Sequence, residues 1–239
     1  LLALEERIGE GESEDTPLII QLRARQEVEL LKVPTFVELI KDAYEAGNSV
    51  HLSWSGRLED ALGRFDVAEA SRERAARVLD DAAALAAISS ITAILRGSLD
   101  EGDAAGSALF EATELLLDQI EAQAIWPALY VRWELGLLSA LGFGLDLEEC
   151  ALSGANDGLS HVSPKTGRAV RGSEAEDYID RLLRLPQFLV SSTAPLGPGD
   201  IADGLKLTGY FMEERLFGGL NRGMPPERMR LVGRILKRV

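Results

Sequence analysis

Apolar residues recur at helical spacing along most of the chain, which predicts a mainly helical protein. The strongest pattern lies in residues 126–143, WPALYVRWELGLLSALGF, where Leu129, Trp133 and Leu137 contribute to a wide apolar face. Pro127 suits the first turn of a helix, because its missing N–H would have no partner there. A helix with so wide an apolar face belongs at the centre of a bundle.

The same spacing predicts helices in six further parts of the chain. They are 18–46, where Pro34 separates two helices; about 81–96, with Asp80 or Asp81 as the N-cap; 104–124; 173–189; 200–220, with Asp200 as the N-cap; and the segment from Pro225-Pro226 to the end.

Two short segments alternate between apolar and polar residues and predict strands instead. They are VHLSWS, residues 50–55, and RFDVAE, residues 64–69. Two strands alone are marginally stable, so this pair must pack against something else. Residues 158–171, GLSHVSPKTGRAVR, predict a small β-hairpin whose turn is Ser-Pro-Lys-Thr-Gly.

Composition is that of a soluble globular chain of one large or two small domains. The 239 residues are 46% hydrophobic and 27% charged. No apolar run reaches the roughly 18 uncharged residues of a membrane span. The first residues also lack the basic and apolar regions of a signal peptide, so we expect a cytoplasmic protein.

Little of the sequence favours catalysis. Cys150 is the one cysteine, which excludes an internal disulfide and a cysteine-cluster zinc site. The two histidines, His51 and His161, leave few groups for general-base chemistry. Phosphate-binding loops, dinucleotide fingerprints and nucleophile elbows do not occur. We therefore expect a protein that is not an enzyme and has no cofactor.

Charge is strongly uneven along the chain. The formal net charge is −14, and residues 81–150 hold twelve acidic and two basic groups, whereas residues 221–239 hold one acidic and six basic. Contact with nucleic acid would therefore depend on local basic patches. The candidates are Arg57, Arg64, Arg72, Arg74, Arg77, Arg222, Arg228, Arg230, Arg234, Lys237 and Arg238. The alternative is that they form solvated helix faces and a basic tail.

Several segments in order resemble the RecO family of bacterial recombination mediators. The central helix carries the family pattern Arg132-Trp133-Glu134-Leu135, a Leu-Leu pair, Leu-Gly-Phe and then Cys150. The hairpin LSHVSPKTGRAV and the segment 204–231 resemble the same family, and GNSVHLSWSGRLEDALGRFDVAE resembles the last strands of its N-terminal barrel. The resemblance covers about residues 47–239.

The resemblance implies three parts. Residues 47–69 would be the remnant of an oligonucleotide-binding barrel, and 70–239 the helical C-terminal domain with its hairpin at 158–171. Residues 1–46 form an atypical acidic and helical segment, and 20–50 are similar to the start of a Snf-type helicase lobe. Some RecO proteins hold zinc with four cysteines, but Ser153 stands at the CxxC partner position here, so we expect no metal.

The resemblance also implies a function. RecO proteins act in DNA repair and homologous recombination in the RecF pathway, binding single- and double-stranded DNA and annealing complementary strands. They work with RecR and bind the acidic C-terminal tail of single-stranded DNA-binding protein, so that RecA can be loaded. A cytoplasmic, nucleoid-associated location would follow.

Arg132 is the main candidate for holding that acidic tail. It is one of two basic residues between 81 and 150 and lies beside the apolar central helix, as a carboxylate clamp requires. Lys206, Arg215 and Arg228 are further candidates for the same site. The alternative is that Arg132 pairs with Glu134 or Glu121 on the surface.

DNA binding would depend on Trp54 and on the arginines of 57–77 and 222–238. Trp54 and Phe65 could stack on bases, or they could pack in a core. Because the barrel is incomplete, the chain could instead be a helical interaction module without DNA binding. A helicase-related fragment, suggested by 20–50 alone, is the third interpretation.

Overall fold

The computed structural model describes residue 42 and residues 46–55, 64–99 and 106–237. The chain divides into two compact units: Leu1–Ala43 with Ser49–Ser71, and Tyr44–Asn48 with Arg72–Val239. Most of the predicted helical region 18–46 lies outside the described residues, as do Arg57 and Arg238.

The two predicted N-terminal strands are confirmed. Strand β1, Ser49–Ser55, and strand β2, Arg64–Arg72, form a two-stranded sheet. Trp54, Arg64 and Arg72 lie on these strands, but their side chains are outside what the structure describes. Their predicted contacts with DNA therefore stay predictions.

The remainder of the described chain is mostly helical. Its helices are α1 (Arg74–Arg77), α2 (Ala82–Ser98), α3 (Gly106–Asp118), α4 (Trp126–Ala140), α5 (Gln187–Val190), α6 (Asp200–Phe211) and α7 (Pro226–Ile235).

Helix α4 lies at the centre, as its apolar face predicts. Trp126, Tyr130, Leu137 and Leu138 are all buried on it. Helices α3 and α6 pack against α4, while α7 packs against α2. One continuous core therefore joins the long helices, and it also includes the inner side of the hairpin.

Of the two predicted N-cap candidates of α2, Asp80 and Asp81, the structure has Asp81 at that position. Its Oδ1 accepts hydrogen bonds from the backbone N–H groups of Ala83 at 2.9 Å and Ala84 at 3.2 Å. The predicted cap of α6 is wrong. Gly199, at φ +82°, takes the N-cap position, while Asp200 lies inside the helix and accepts from the Gly197 N–H at 2.7 Å.

The hairpin is confirmed and is part of a larger sheet. Strands β3 (Leu159–Val162) and β4 (Ala169–Arg171) pair antiparallel, and β5 (Leu183–Arg184) pairs antiparallel with the other edge of β3. The helix predicted over 173–189 is wrong. Two short 3₁₀ segments, Gly172–Glu174 and Glu176–Arg181, lead into β5, and α5 follows only after Pro186.

Helix α6 does not continue as an α-helix to residue 220. Its hydrogen bonding widens to a π-helical turn over Met212–Phe217. Helix α7 begins at Pro226, as predicted from the Pro-Pro pair, and ends at Ile235.

Candidate partner-binding and nucleic-acid-binding surfaces

Arg228 lies in the core and not on a binding surface. Its Nε donates to Glu134 Oε1 at 2.7 Å and its Nη2 donates to Glu134 Oε2 at 2.9 Å. Arg228 is 6% exposed and Glu134 is 0% exposed. The prediction that Arg228 contacts a partner or DNA is therefore wrong, because a carboxylate of its own chain occupies it.

A wider polar network surrounds this pair and ties four helices together. The Thr208 hydroxyl on α6 donates to Glu134 Oε2, and Arg228 Nη2 donates to the Leu205 carbonyl at 2.9 Å. Tyr130 on α4 shares a 2.7 Å hydrogen bond with Ser90 on α2. The arrangement fixes the side of α7 that faces the core, and hence the side that faces solvent.

The electrostatics of the network follow from burial and from the Glu134 charge. Burial raises the pKa of Tyr130 well above its usual value, and the nearby Glu134 raises it further. Burial alone would lower the pKa of Arg228, but Glu134 outweighs that effect and raises it. Arg228 therefore remains charged throughout the ordinary pH range.

Arg132 is exposed at the α4 surface and contacts the end of α5. Its Nη2 donates to the Phe188 carbonyl and, at 3.3 Å, to the Ser191 carbonyl. The alternative pairing of Arg132 with Glu134 or Glu121 is not observed, because Glu134 binds Arg228 and Glu121 lies 3.7 Å from Arg77. We call Arg132, Val190 and Ser191 the Arg132 edge; Val190 is an exposed apolar residue there.

The other two partner candidates lie on or next to α6. Lys206 is exposed on that helix. Arg215 lies in the π-helical turn, with its guanidinium 4.6 Å from the centre of the Phe211 ring and its Nη2 3.4 Å from the Lys165 carbonyl. The observed contacts of Arg215 are thus with Phe211 and the turn of the hairpin, not with the Arg132 edge.

Exposed cations follow the outer side of α7 and the turn before it. We call these residues the basic face: Arg222, Arg230, Arg234 and Lys237. Arg222 donates to the Gly97 carbonyl at 2.8 Å, which anchors the turn to the end of α2. Arg230 pairs with Glu227 at 2.8 Å. Two of the predicted DNA contacts, Arg222 and Arg230, are therefore exposed.

Arg74 is a structural residue, and its predicted contact with DNA is wrong. It is 2% exposed, and its guanidinium lies 2.8 Å from Glu114 and 2.7 Å from Asp118 on α3. Burial lowers its pKa, but the two carboxylates outweigh this and raise it. Arg77 is exposed and lies 3.7 Å from Glu121, so it remains a candidate for DNA contact.

Cys150 is buried in a polar setting beside β4. Its thiol lies 3.4 Å from Glu174, and the Arg171 N–H donates to its sulfur at 3.4 Å. Burial raises the thiol pKa, but backbone N–H groups of Arg171, Ser153 and Leu152 outweigh it, so the pKa is lowered. Among the described residues, no group of three His, Cys, Asp or Glu side chains could hold a metal ion.

Glu134 is the important residue that the sequence analysis did not assign correctly. A signal was present: Tyr130, Glu134 and Leu138 are spaced four residues apart, so Glu134 lies on the same inner side of α4.

No helix in the part of the chain that the structure describes is long and apolar enough to cross a membrane.

Comparison with known proteins finds similar chains over most of the sequence. The family model described as "Recombination protein O C terminal" matches residues 79–223. The "DNA repair protein RecO" of Hyphomonas neptunium is 71% identical over 192 residues, covering 80% of this chain and 79% of that protein. Those of Caulobacter vibrioides and Rhodospirillum centenum are each 43% identical, covering 82% and 83% of this chain and 80% and 78% of the relatives.

Proposed function

Because the chain belongs to the RecO family of DNA repair proteins, we propose that it is a recombination mediator of the RecF pathway and not an enzyme. It binds single- and double-stranded DNA at the basic face and the acidic tail of single-stranded DNA-binding protein at the Arg132 edge. With RecR it anneals strands and helps to load RecA at the nucleoid.

The observation that carries the DNA-binding part is the basic face itself. The whole chain has a net charge of −14, which repels a phosphate backbone at long range. Arg230, Arg234 and Lys237 recur at helical spacing on the exposed side of α7 and its end, and Arg222 is exposed in the turn before it. The buried Arg228–Glu134 pair fixes the orientation of this side. A local patch of this kind favours contacts with phosphate groups.

The geometry of Arg132 supports the tail-binding part. Both observed hydrogen bonds of Arg132 start from Nη2, so Nη1 and Nε retain donors for an incoming carboxylate. Val190 offers an apolar contact beside the guanidinium. An acidic peptide that ends in an apolar residue requires this combination of a cation and apolar surface.

Salt-dependent fluorescence anisotropy with labelled single-stranded DNA tests the basic face. Affinity should fall as salt rises, and Arg230→Ala with Arg234→Ala should reduce the slope of log affinity against log salt by about 0.7 for each phosphate group that these side chains neutralise. Arg181→Ala, at an exposed arginine outside the basic face, is the matched control. Absence of binding at low salt would favour the helical interaction module that does not bind DNA.

Anisotropy with a labelled tail peptide tests Arg132. Arg132→Ala should weaken peptide binding by at least about tenfold, because the variant cannot form the charge-assisted hydrogen bond. Arg132→Lys should recover part of the affinity, since it keeps the charge but not the planar fork. Thermal unfolding of each variant checks that α5 remains in place. Unchanged affinity in a folded Arg132→Ala protein would remove Arg132 from the site.

A further inference from the structure

The outer side of α3 combines exposed apolar side chains with carboxylates. Phe110 and Leu115 are each 63% exposed, although the opposite side of the helix is buried against the core. Glu111 and Asp118 lie on the same outer side, and Glu121 follows in the next turn. We call these five residues the acidic face. Exposed apolar side chains rimmed by charges are typical of protein interaction surfaces.

Charge decides which kind of partner fits this surface. The acidic face has three carboxylates. Asp118 also pairs with Arg74 and Glu121 lies 3.7 Å from Arg77, but Glu111 is exposed, so the surface retains negative charge and would repel an acidic partner. Residues 1–46 hold eleven acidic and five basic groups, which makes that segment of the same chain a poor occupant. A fitting partner is basic and brings apolar side chains of its own.

The basic face has both properties. Met229 on α7 is 66% exposed, and Leu236, which follows its last residue, is 48% exposed. The two are seven residues apart and so share one side of the helix, adjacent to the side that carries Arg230. Like the acidic face, the basic face therefore presents two large apolar side chains among charges, here of the opposite sign. The two faces are complementary in charge and similar in composition.

Both faces are exposed in the folded chain, so neither covers the other within one molecule. The inner side of α7 is packed on α2 and that of α3 on α4. We propose that the basic face of one copy docks on the acidic face of a second copy, so that the protein associates with itself. Apolar contacts provide affinity, and the opposite charges provide specificity.

Self-association would compete with DNA, because both use the basic face; this consequence rests on the proposed function. A protein in the associated form would hold its DNA-binding surface covered, and DNA would release the second copy. The association itself does not depend on DNA binding and can be measured without it.

Sedimentation equilibrium of the full chain tests the docking. At low salt, the mean mass should rise with protein concentration, and at 1 M salt, where the Debye length is about 3 Å, association should be weaker. Phe110→Ser with Leu115→Ser should weaken association by about tenfold or more, whereas Leu152→Ser, at an exposed leucine elsewhere, should not. A protein that remains monomeric at every concentration at low salt overturns the proposal.

Charge reversal gives a sharper test. Glu111→Lys lowers the magnitude of the net charge, so a general charge effect would strengthen association, whereas disruption of the proposed interface weakens it. Arg234→Glu should also weaken it. An equimolar mixture of the two variants should associate again, because the intact basic face of the Glu111→Lys protein can dock on the intact acidic face of the Arg234→Glu protein. Asp180→Lys is the control at an exposed acidic residue outside the acidic face. No recovery in the mixture, or an equal weakening in the control, would contradict the interface.

A single-stranded oligonucleotide, added to the associated protein, separates the two proposals. Dissociation into DNA-bound monomers supports a shared basic face. Association that persists while DNA binds shows that DNA uses another surface, which overturns the competition and the proposed DNA site but not the docking. Association without any DNA binding overturns the proposed function alone.

Discussion

Glu134 is fully buried on α4, at a position where helical spacing would favour an apolar side chain. Two hydrogen bonds from Arg228 and one from Thr208 satisfy its carboxylate. A buried ion pair of this kind adds little net stability over an apolar pair of similar volume, but removal of one partner leaves an unpaired buried charge. The pair is thus better understood as fixing the position of α7 than as a source of stability.

Removal of one member of this pair should be costly. Arg228→Met should lower the free energy of unfolding by about 3–5 kcal/mol, because the Glu134 charge remains buried without its partner. The double variant Arg228→Met with Glu134→Leu should lose much less than the sum of the two single changes. Urea denaturation of the four proteins measures the coupling, with Glu111→Gln as an exposed control. Additive losses would show that the two side chains do not act as a pair.

At the scale of single residues, the basic segments could be located from the sequence, but the roles of individual arginines within them could not always be predicted. Arg228 could have been recognised as buried, because it shares one helical side with Leu231 and Ile235. Arg74 could not, because its partners Glu114 and Asp118 lie 40 and 44 residues away. A run of basic residues therefore indicates where positive charge is located, but long-range pairing decides which members reach solvent.

At the scale of elements, periodicity succeeded where the backbone hydrogen bonds of a segment are local. Helices α2 and α4 and the β3–β4 hairpin follow from spacing, capping and turn residues. Strand β5 does not, since its two residues pair with His161 and Val162 about twenty positions earlier. The prediction of one helix over 173–189 failed because this segment forms two short 3₁₀ turns and the edge strand β5. Tertiary pairing overrode local preference there.

The packing of the hairpin sheet near α6 predicts a pH dependence. His161 on β3 is buried, and its pKa is lowered by burial and by the cation of Arg184, against the opposing effect of Asp203 on α6. The folded state thus holds His161 neutral, whereas the unfolded chain takes up the proton near the usual value of 6.5. Stability should therefore decrease as pH falls from about 6.5 towards the lower folded pKa.

Urea midpoints measured between neutral and mildly acidic pH check this expectation. His161→Gln should lose stability at neutral pH but show a smaller further decrease on acidification. His51→Gln changes the other histidine of the chain and should keep the full decrease. The carboxylates are the same in all three proteins, so a difference between the pH profiles of their urea midpoints is due to the substituted histidine. An identical pH profile for His161→Gln would refute the assignment.

For the molecule as a whole, positive and negative charges are concentrated in different parts of the chain. Net charge alone suggests an acidic protein with no affinity for nucleic acid, yet the fold exposes four cations on the outer side of α7 and just before and after it. That surface exists only because the opposite side of the same helix is buried. Binding and stability are therefore linked in the C-terminal segment, which matters for any experiment that removes it.

The basic C-terminal segment is part of the core and not a detachable tail. Leu231 and Ile235 are buried, α7 packs along α2, and Arg228 neutralises Glu134. A chain ending at Gly223 should therefore lose cooperative thermal unfolding, because the apolar side of α2 and the Glu134 charge are left without partners. Substitution of Arg230 and Arg234 by alanine should leave the melting temperature nearly unchanged, since surface charges contribute little.

Circular dichroism melts distinguish the two cases: a truncated chain that melts cooperatively at the full-length temperature would show that α7 is dispensable for the fold. With the expected result, only the point variants can assign a loss of DNA binding to the basic face.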